Sequence, residues 1–329
     1  MESNIPWITS FSNKNLKLIL FVTEQCNFRC VYCYEDFKIG KMHEEVLEGV
    51  RNLITKRIDE INVLELGFFG GEPLLNKNTV LEISNWAKQL CEGKSISYIS
   101  SMTTNGYGLD KETFKNLLFS GVTNYQITLD GEKEHHDKMR PAVNGKSTFD
   151  KIIGNLKMMV HNDKNFHCTL RFNIADNNYE SVKAFIVLHG KLFENDNRFS
   201  LHFHPIFGIP SLTLIKSFEK LKELKSLAQS HGLLFDNDYE EGVCYAAKAN
   251  NYVIRANGKI QKCTVALNAD INSVGKIFRD GTMQLDESKL KKWMFAKDKG
   301  CPLSSLSLEK LVIPYEDAGK FVNNIAVNV

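Results

Sequence analysis

Three cysteines near the start of the chain have a spacing that suits metal chemistry. Cys26, Cys30 and Cys33 form the pattern C-x3-C-x2-C. Three thiolates from one loop can bind three irons of a [4Fe–4S] cluster and leave the fourth iron open to another ligand. The spacing alone leaves two other interpretations open. One is a zinc site, for which His43 is the nearby candidate for a fourth ligand, and the other is a thioredoxin-type Cys-x-x-Cys pair.

Five further cysteines bring the total to eight. The N-terminus has no basic segment followed by an apolar one, and no apolar run approaches the roughly 18 residues that a membrane helix needs. We therefore expect a soluble, cytoplasmic protein with no membrane partner. Because that compartment keeps thiols reduced, clustered cysteines indicate metal ligation rather than disulfides. Cys91 and Cys168 stand alone and are interpreted as core residues.

The composition is that of an ordinary globular protein. The 329 residues are 43% hydrophobic and 24% charged, which excludes a disordered or collagen-like chain. The formal net charge of +2 lacks the basic excess that is typical of nucleic-acid-binding proteins, so we expect no nucleic-acid partner. The length allows one large domain or two unequal ones.

Strand and helix patterns alternate over the first 230 residues. Six β-rich runs are each followed by a segment whose apolar residues recur at helical spacing. The runs are LKLILFV, VLELGFF, SYISSM, NYQITLD, HCTLRFNI and FSLHFHPI, and the helical segments fall near 44–58, 80–90, 111–119, 149–160, 181–192 and 217–230. Helical crossovers between strands give a parallel sheet with right-handed connections. The pattern predicts an α/β fold, an incomplete (β/α)6 TIM-like barrel.

The fifth strand of this barrel shows which way its side chains point. His167, Thr169, Arg171 and Asn173 share one face, and apolar residues share the other. The apolar face must lie under the helices, so the polar face is expected to line the barrel interior and to hold a polar ligand. The cysteine loop follows the first strand, at the carboxyl end where barrel active sites are built.

The alternation stops near residue 235, where a hairpin is expected. Asn257-Gly258 lies between two β-prone runs and is a strong turn signal. Cys244 precedes the outgoing strand and Cys263 ends the returning one, so their thiols are expected to converge. We therefore divide the chain into a barrel, 1–233, and a small hairpin-containing domain with a C-terminal tail, 234–329.

With these motifs in place, residues 14–210 resemble the radical SAM enzymes. The second strand ends in Gly70-Gly71-Glu72-Pro73, which is similar to the family's GGEP motif. The third strand is followed by Thr103-Thr104-Asn105-Gly106, which resembles its ribose-side motif. The segment 126–131, with Arg140 after it, is similar to one found in the peptide- and protein-modifying members.

The resemblance implies two cofactors, a [4Fe–4S] cluster held by the three cysteines of the loop and S-adenosylmethionine. Tyr32 would contact the adenine, and the GGEP motif would receive the methionyl amino group. The implied S-adenosylmethionine contacts are Tyr32, Gly70, Gly71, Glu72, Pro73, Thr104, Asn105, Thr128, Arg140 and Arg171. No general base is assigned, although Asp130, His202 and His204 are possibilities on the inner face.

The later cysteines resemble the opening of the SPASM domain or of its shorter relative, the twitch domain. A full SPASM domain carries seven cysteines, but only Cys244, Cys263 and Cys301 follow the barrel here, and serines follow Cys301. These three could hold one auxiliary iron–sulfur cluster with an open iron. The alternative is a degenerate domain whose cysteines are simply buried.

For function, the resemblance implies a radical SAM maturase. It would use a 5′-deoxyadenosyl radical to abstract hydrogen from a ribosomally made precursor peptide and install a crosslink, a thioether or an epimerised residue. Its electron donor would be a flavodoxin or a ferredoxin. Because only residues 1–15 precede the barrel, we expect no separate leader-binding domain there. The alternatives are formylglycine formation, as in anaerobic sulfatase maturases, and a non-catalytic barrel that binds a peptide or a cluster.

Overall fold

Six parallel strands form the body of the molecule. The computed structural model describes residues 10–206, 218–235, 243–294 and 302–306. The parallel strands are β1 Asn15–Thr23, β2 Val63–Gly70, β3 Ser97–Thr104, β4 Asn124–Leu129, β5 His167–Ile174 and β6 Phe199–Pro205. They lie side by side in chain order. This arrangement confirms the α/β fold and the incomplete barrel that the sequence predicts.

Helices cover the outer face of this sheet. They are α1 Glu44–Arg57, α2 Lys77–Lys94, α3 Lys111–Phe119, α4 Lys133–Met139, α5 Phe149–Val160, α6 Tyr179–His189 and α7 Phe218–Ser230. The sequence pattern does not predict α4, because only His136 and Met139 of its seven residues are buried and no apolar stripe results. In the described part of the chain, no helix combines the length and the apolar character needed to span a membrane.

The register of β4, β5 and β6 confirms the division into a polar and an apolar face. Thr128 lies opposite Arg171, which lies opposite His202. The alternate residues of β5 that point the other way, including Leu170 and Phe172, are fully buried under the helices. The inner face of these strands is therefore polar, as the alternation along the sequence predicts.

The C-terminal hairpin extends the same sheet. β7 Asn251–Ile254 pairs in parallel with β1, and β8 Lys259–Gln261, β9 Ser273–Ile277 and β10 Met283–Leu285 follow as antiparallel neighbours. Two short helices come after, α8 Glu287–Met294 and α9 Pro302–Ser305. The predicted hairpin is confirmed, and β9 and β10 were not predicted. The boundary at 233/234 stays a prediction.

The C-terminal strands pack closely on α1. A Cβ atom added at Gly49 of α1 would lie only 2.4 Å from the carbonyl oxygen of Phe278, which follows β9. One placed at Gly281 would lie 2.4 Å from the amide nitrogen of Leu53. Since these neighbours are main-chain atoms, they cannot rotate away. Glycine at both positions therefore allows the C-terminal strands to contact the helix backbone.

This contact predicts opposite effects for two helical glycine substitutions. Gly49→Ala should destabilise the protein by about 1–3 kcal/mol, because the added methyl group has no space. Gly154→Ala in α5 has nothing within 4 Å of the new Cβ and should stabilise by about 0.5–1 kcal/mol through helix propensity. Urea unfolding of the iron-free protein measures both. Equal effects of the two substitutions would contradict the close packing.

Candidate active site

The three cysteines lie in the loop that leaves the carboxyl end of β1. Each is half-buried, and the amide of Phe28 donates a hydrogen bond to Cys26 Sγ at 3.3 Å. Burial raises the pKa of Cys26 to about 12 and raises the pKa of Cys30 and Cys33. Without a metal these side chains therefore stay thiols and are poor nucleophiles. A bound cationic centre is what would hold them as thiolates.

The chemistry of the three thiols fits a cluster. Among the described residues, no three His, Cys, Asp or Glu side chains form a group that could hold one metal ion. His43, the candidate zinc ligand, is exposed at the N-terminus of α1. Three cysteines of one loop are a donor set that a [4Fe–4S] cluster takes, with each thiolate on a different iron.

The glycine pair at the end of β2 lies against the chain segment that leads into this loop. Gly70 has a φ of +112°, and an added Cβ there would lie 2.3 Å from the carbonyl oxygen of Thr23. At Gly71 it would lie 2.3 Å from the carbonyl oxygen of Gln25. The amide of Gly71 donates to Thr23 O at 3.1 Å, and that of Glu72 donates to Gln25 O at 2.9 Å. The two glycines thus bring the edge of β2 against the base of the cysteine loop.

Glu72 links the ends of β2 and β3. Its carboxylate is 1% exposed and accepts hydrogen bonds from the Leu74 amide at 3.0 Å, the Thr104 hydroxyl at 2.7 Å and the Asn105 amide at 2.7 Å. Burial raises the pKa of Glu72, and these hydrogen bonds oppose that shift. Its role as an acceptor for the methionyl amine stays a prediction. The structure gives the carboxylate a second task that the sequence did not indicate, which is to hold the third-strand motif in place.

Asn105 carries this connection on to the cysteine loop. Its side-chain amide donates to Asn27 Oδ1 at 2.8 Å and approaches Cys26 Sγ at 3.9 Å. Its Oδ1 accepts from the Tyr107 amide at 2.9 Å. Pro73 occupies the first turn of the short helix after Glu72. The motifs after the first three strands therefore meet at one edge of the sheet.

A buried polar network lies beside the loop. Tyr32 donates its hydroxyl proton to Asp130 Oδ2 at 2.6 Å, and Arg140 Nη1 donates to the Tyr32 hydroxyl at 2.5 Å. Asp130 is fully buried and Arg140 is 7% exposed. In the described part of the chain, Asp130 Oδ1 and Arg140 Nε have no hydrogen-bond partner. A polar ligand with hydroxyl and carboxylate groups, such as S-adenosylmethionine, would satisfy both, so these residues fit that cofactor.

Thr128 and Arg171 lie next to this network on the inner face. They are directly opposite each other in the β4–β5 register. Arg171 Nε donates to Asn173 Oδ1 at 2.9 Å. Burial raises the pKa of Asp130, and the charge of Arg171 opposes that shift. His202 and His204 follow on β6. The structure thus places these predicted side chains on neighbouring strands of the inner face, and their roles as cofactor contacts stay predictions.

The turn that holds Cys263 has the same sulfur contact as Cys26. The amide of Val265 donates to Cys263 Sγ at 3.4 Å, two residues on, as the Phe28 amide does for Cys26. Asn272 fixes the turn by accepting from the Cys263 amide at 2.9 Å and donating to its carbonyl at 2.8 Å. Cys244 is half-buried. Cys301 lies outside the described residues.

An aromatic wall, which sequence reasoning missed, contains a residue beside each of the two cysteine regions. Tyr34, Phe69 and Tyr245 pack on one apolar cluster that is formed by Ile19, Phe21, Val253 and Leu267. Burial raises the pKa of Tyr34. The Tyr245 hydroxyl lies 2.9 Å from the Thr264 hydroxyl, next to Cys263, and the same apolar cluster packs against Tyr34. The place of Tyr34 directly after Cys33 is visible in the sequence, but no spacing rule marks it.

Comparisons with known proteins agree with this geometry. Residues 20–188, just over half of the chain, match the family model described as the radical SAM superfamily. An uncharacterized protein of Methanocaldococcus jannaschii is 32% identical over 138 residues, which is 42% of this chain and 46% of that protein. A cysteine-type anaerobic sulfatase-maturating enzyme of Clostridium novyi is 31% identical over 154 residues, 43% of this chain and 39% of that enzyme. The chain spans less than half the length of these relatives.

Two solved structures resemble the whole fold. The structure of anSMEcpe with bound AdoMet and Cp18Cys peptide has a TM-score of 0.67 at 19% identity and covers 95% of this chain and 97% of that one. Streptococcus suis SuiB bound to the precursor peptide SuiA has a TM-score of 0.61 at 14% identity and covers 94% and 76%. These similarities confirm the fold, including its C-terminal hairpin region.

The hydrogen bonds of Glu72 predict what its amide variant does. Glu72→Gln turns one acceptor oxygen into an NH2 group that faces a donor, so the iron-free protein should lose about 1–3 kcal/mol in urea unfolding. The reconstituted variant should keep its iron and bind S-adenosylmethionine about ten- to a hundredfold more weakly.

Glu65→Gln in β2, the strand that precedes Glu72, is the matched control. The Glu65–Lys17 pair, at 2.9 Å, is partly exposed, so its loss should cost less than about 1 kcal/mol. If Glu72→Gln were no more costly than Glu65→Gln, the carboxylate would not hold the third-strand motif.

Proposed function

The chain belongs to the radical SAM superfamily, and on that premise we propose that it is a maturase of a ribosomally made peptide. It is a radical SAM enzyme whose cofactors are a [4Fe–4S] cluster and S-adenosylmethionine. The proposed substrate is a precursor peptide, on which the enzyme installs a crosslink, a thioether or an epimerised residue. A flavodoxin or a ferredoxin is the proposed electron donor.

The division of chemistry between cofactor and protein follows from the site. When bound, the two cofactors supply a 5′-deoxyadenosyl radical that abstracts a hydrogen atom from the substrate. The proposed tasks of the protein are to hold three thiolates, orient the ligand and keep water away. Tyr32, Asp130 and Arg140 offer a buried set of donors and acceptors at the loop. Glu72 fixes the third-strand motif beside it.

The observation that carries the proposal is the position of the aromatic wall. On the inner face at β1, the wall holds Tyr34, which follows Cys33, and Tyr245, whose hydroxyl lies 2.9 Å from that of Thr264, next to Cys263. Polar side chains of β4, β5 and β6 form the rest of this inner face. A peptide offers apolar side chains to such a wall and main-chain polar groups to the opposite strands. The two structures of similar fold were solved with peptides bound.

The later cysteines are proposed to hold a second cluster. The amide–sulfur contact at Cys263 repeats the one at Cys26, and amide donors of this kind stabilise cluster thiolates. We assign this role to the segment 234–329, which forms the proposed second domain. An open iron there would be available to a substrate group.

A second candidate reaction is formylglycine formation. The match to the sulfatase-maturating enzyme of Clostridium novyi favours it. Product mass separates most of these reactions. A crosslink or thioether removes two hydrogens, and epimerisation leaves the mass unchanged. Formylglycine made from cysteine loses two hydrogens and has oxygen in place of sulfur; formylglycine made from serine loses two hydrogens only and is identified by its aldehyde.

The decisive experiment supplies a deuterated candidate peptide, encoded by a short open reading frame beside the gene, to the reconstituted and reduced enzyme. We expect deuterium in the 5′-deoxyadenosine and a modified peptide. The proposal would be contradicted if the enzyme cleaved S-adenosylmethionine but the 5′-deoxyadenosine took up no deuterium, either from this peptide or from a sulfatase-derived cysteine peptide.

Replacing the C-terminal cysteines tests whether product formation needs the second cluster while cleavage of S-adenosylmethionine needs only the cluster of the cysteine loop. The Cys244→Ala/Cys263→Ala variant should lose about four irons, still cleave S-adenosylmethionine and fail to complete the peptide product. Its control, Cys91→Ala/Cys168→Ala, removes two buried core thiols and should retain iron and product. Unchanged iron content in the first variant would show that Cys244 and Cys263 are structural.

A further inference from the structure

A buried ion pair joins the C-terminal hairpin to the segment that leads into the cysteine loop. Arg255 Nε donates to Glu24 Oε1 at 3.0 Å, and Arg255 Nη2 donates to Glu24 Oε2, so the pair is bidentate. Glu24 is fully buried and Arg255 is 5% exposed. The planar fork of arginine gives such a pair a fixed geometry. The two residues are 231 positions apart in the chain.

The hairpin turn contacts the chain on both sides of the loop. The Ala256 amide donates to Glu24 Oε1 at 3.2 Å, two residues before Cys26. The Ala256 carbonyl accepts from the His43 amide at 3.0 Å, beyond the last cysteine. The Glu24 amide donates to Gly40 O at 3.0 Å. Because these contacts bracket the cysteines, the turn closes the base of their loop.

Arg255 also acts on a second buried acid, Glu35, whose pKa burial raises to about 8 and the Arg255 charge lowers. Glu35 is 3% exposed, and neither of its oxygens has a hydrogen-bond partner among the described residues. The charges of Glu24, Glu35 and Asp36 all act on Arg255. Removing the guanidinium would leave the buried Glu24 carboxylate, two residues before Cys26, without its counter-charge. Breaking a buried pair in this way is far more damaging than removing both partners.

We propose that Arg255 is a positioning residue for the cysteine loop, which it holds through Glu24 in the shape that accepts the cluster and S-adenosylmethionine. This role does not require the C-terminal cysteines to bind iron. It makes the barrel site dependent on the hairpin turn itself. The proposal rests on membership of the family and not on the identity of the peptide.

The test compares Arg255→Met with Arg279→Met, the same substitution in a more exposed ion pair. Arg279 and Glu48 also join a C-terminal turn to the barrel, at α1, but their side chains are 68% and 32% exposed. The full chain, with Cys244→Ala/Cys263→Ala as background, is reconstituted anaerobically. We measure iron per chain, the affinity for S-adenosylmethionine and the change that this ligand causes in the electron paramagnetic resonance spectrum of the reduced cluster.

Arg255→Met should bind S-adenosylmethionine about a hundredfold more weakly and lose the spectral change, while Arg279→Met should match the background protein. Glu24→Gln/Arg255→Met removes both charges and keeps an acceptor for the Ala256 amide. It should recover affinity to within about tenfold of the background. If Arg255→Met does not fold, Arg255→Lys is measured instead and should bind about tenfold more weakly, because lysine cannot pair bidentately.

Two results would overturn the proposal. One is that Arg255→Met binds S-adenosylmethionine as tightly as the background protein and shows the same spectral change on binding it. Where that variant does not fold, the same result in Arg255→Lys counts. The other is a double variant that recovers nothing. Failure of the peptide proposal is a separate outcome, since it concerns deuterium transfer and none of these measurements includes a peptide.

Discussion

The segment between β1 and Cys26 is held on two sides, and the rest of the site depends on that constraint. On one side, main-chain hydrogen bonds join it to Gly71 and Glu72, at a distance that only glycine at positions 70 and 71 allows. On the other side, Arg255 and the Ala256 amide hold the Glu24 carboxylate. The cysteine loop begins where these contacts end, so the direction in which its thiols point is set by residues from two distant parts of the sequence.

Buried carboxylates do most of the positioning. Glu24 and Glu72 are both inside the protein, and each accepts hydrogen bonds from groups that flank the loop or the third-strand motif. Asp130 does the same for Tyr32. A carboxylate buried in this way is costly unless its donors are in place, so it selects one arrangement of the surrounding chain. The same cost explains why a ligand with matching donors would be bound tightly beside Asp130.

The sequence predicts those parts of the fold that leave a pattern among neighbouring residues. Six strand–helix repeats, the inner and outer faces of β5 and the Asn257-Gly258 hairpin follow from periodicity and turn chemistry, and all were confirmed. The C-x3-C-x2-C spacing likewise located the loop. β9 and β10 were not predicted, because strands of three to five residues are too short to show a clear alternation of polar and apolar residues. The Glu24–Arg255 pair was not predicted, because a contact across 231 positions leaves no local pattern. The wall formed by Tyr34, Phe69 and Tyr245 was missed because three separate segments contribute to it.

Every role proposed for this site depends on the loop of Cys26, Cys30 and Cys33, which we propose holds the cluster that cleaves S-adenosylmethionine. The most direct test of this role is the formation of 5′-deoxyadenosine by the anaerobically reconstituted and chemically reduced protein, with Cys30→Ala measured beside it. We expect steady formation by the wild type and none by the variant, which should also lose about four irons. No cleavage by iron-loaded wild type, or equal cleavage by Cys30→Ala, would contradict this role.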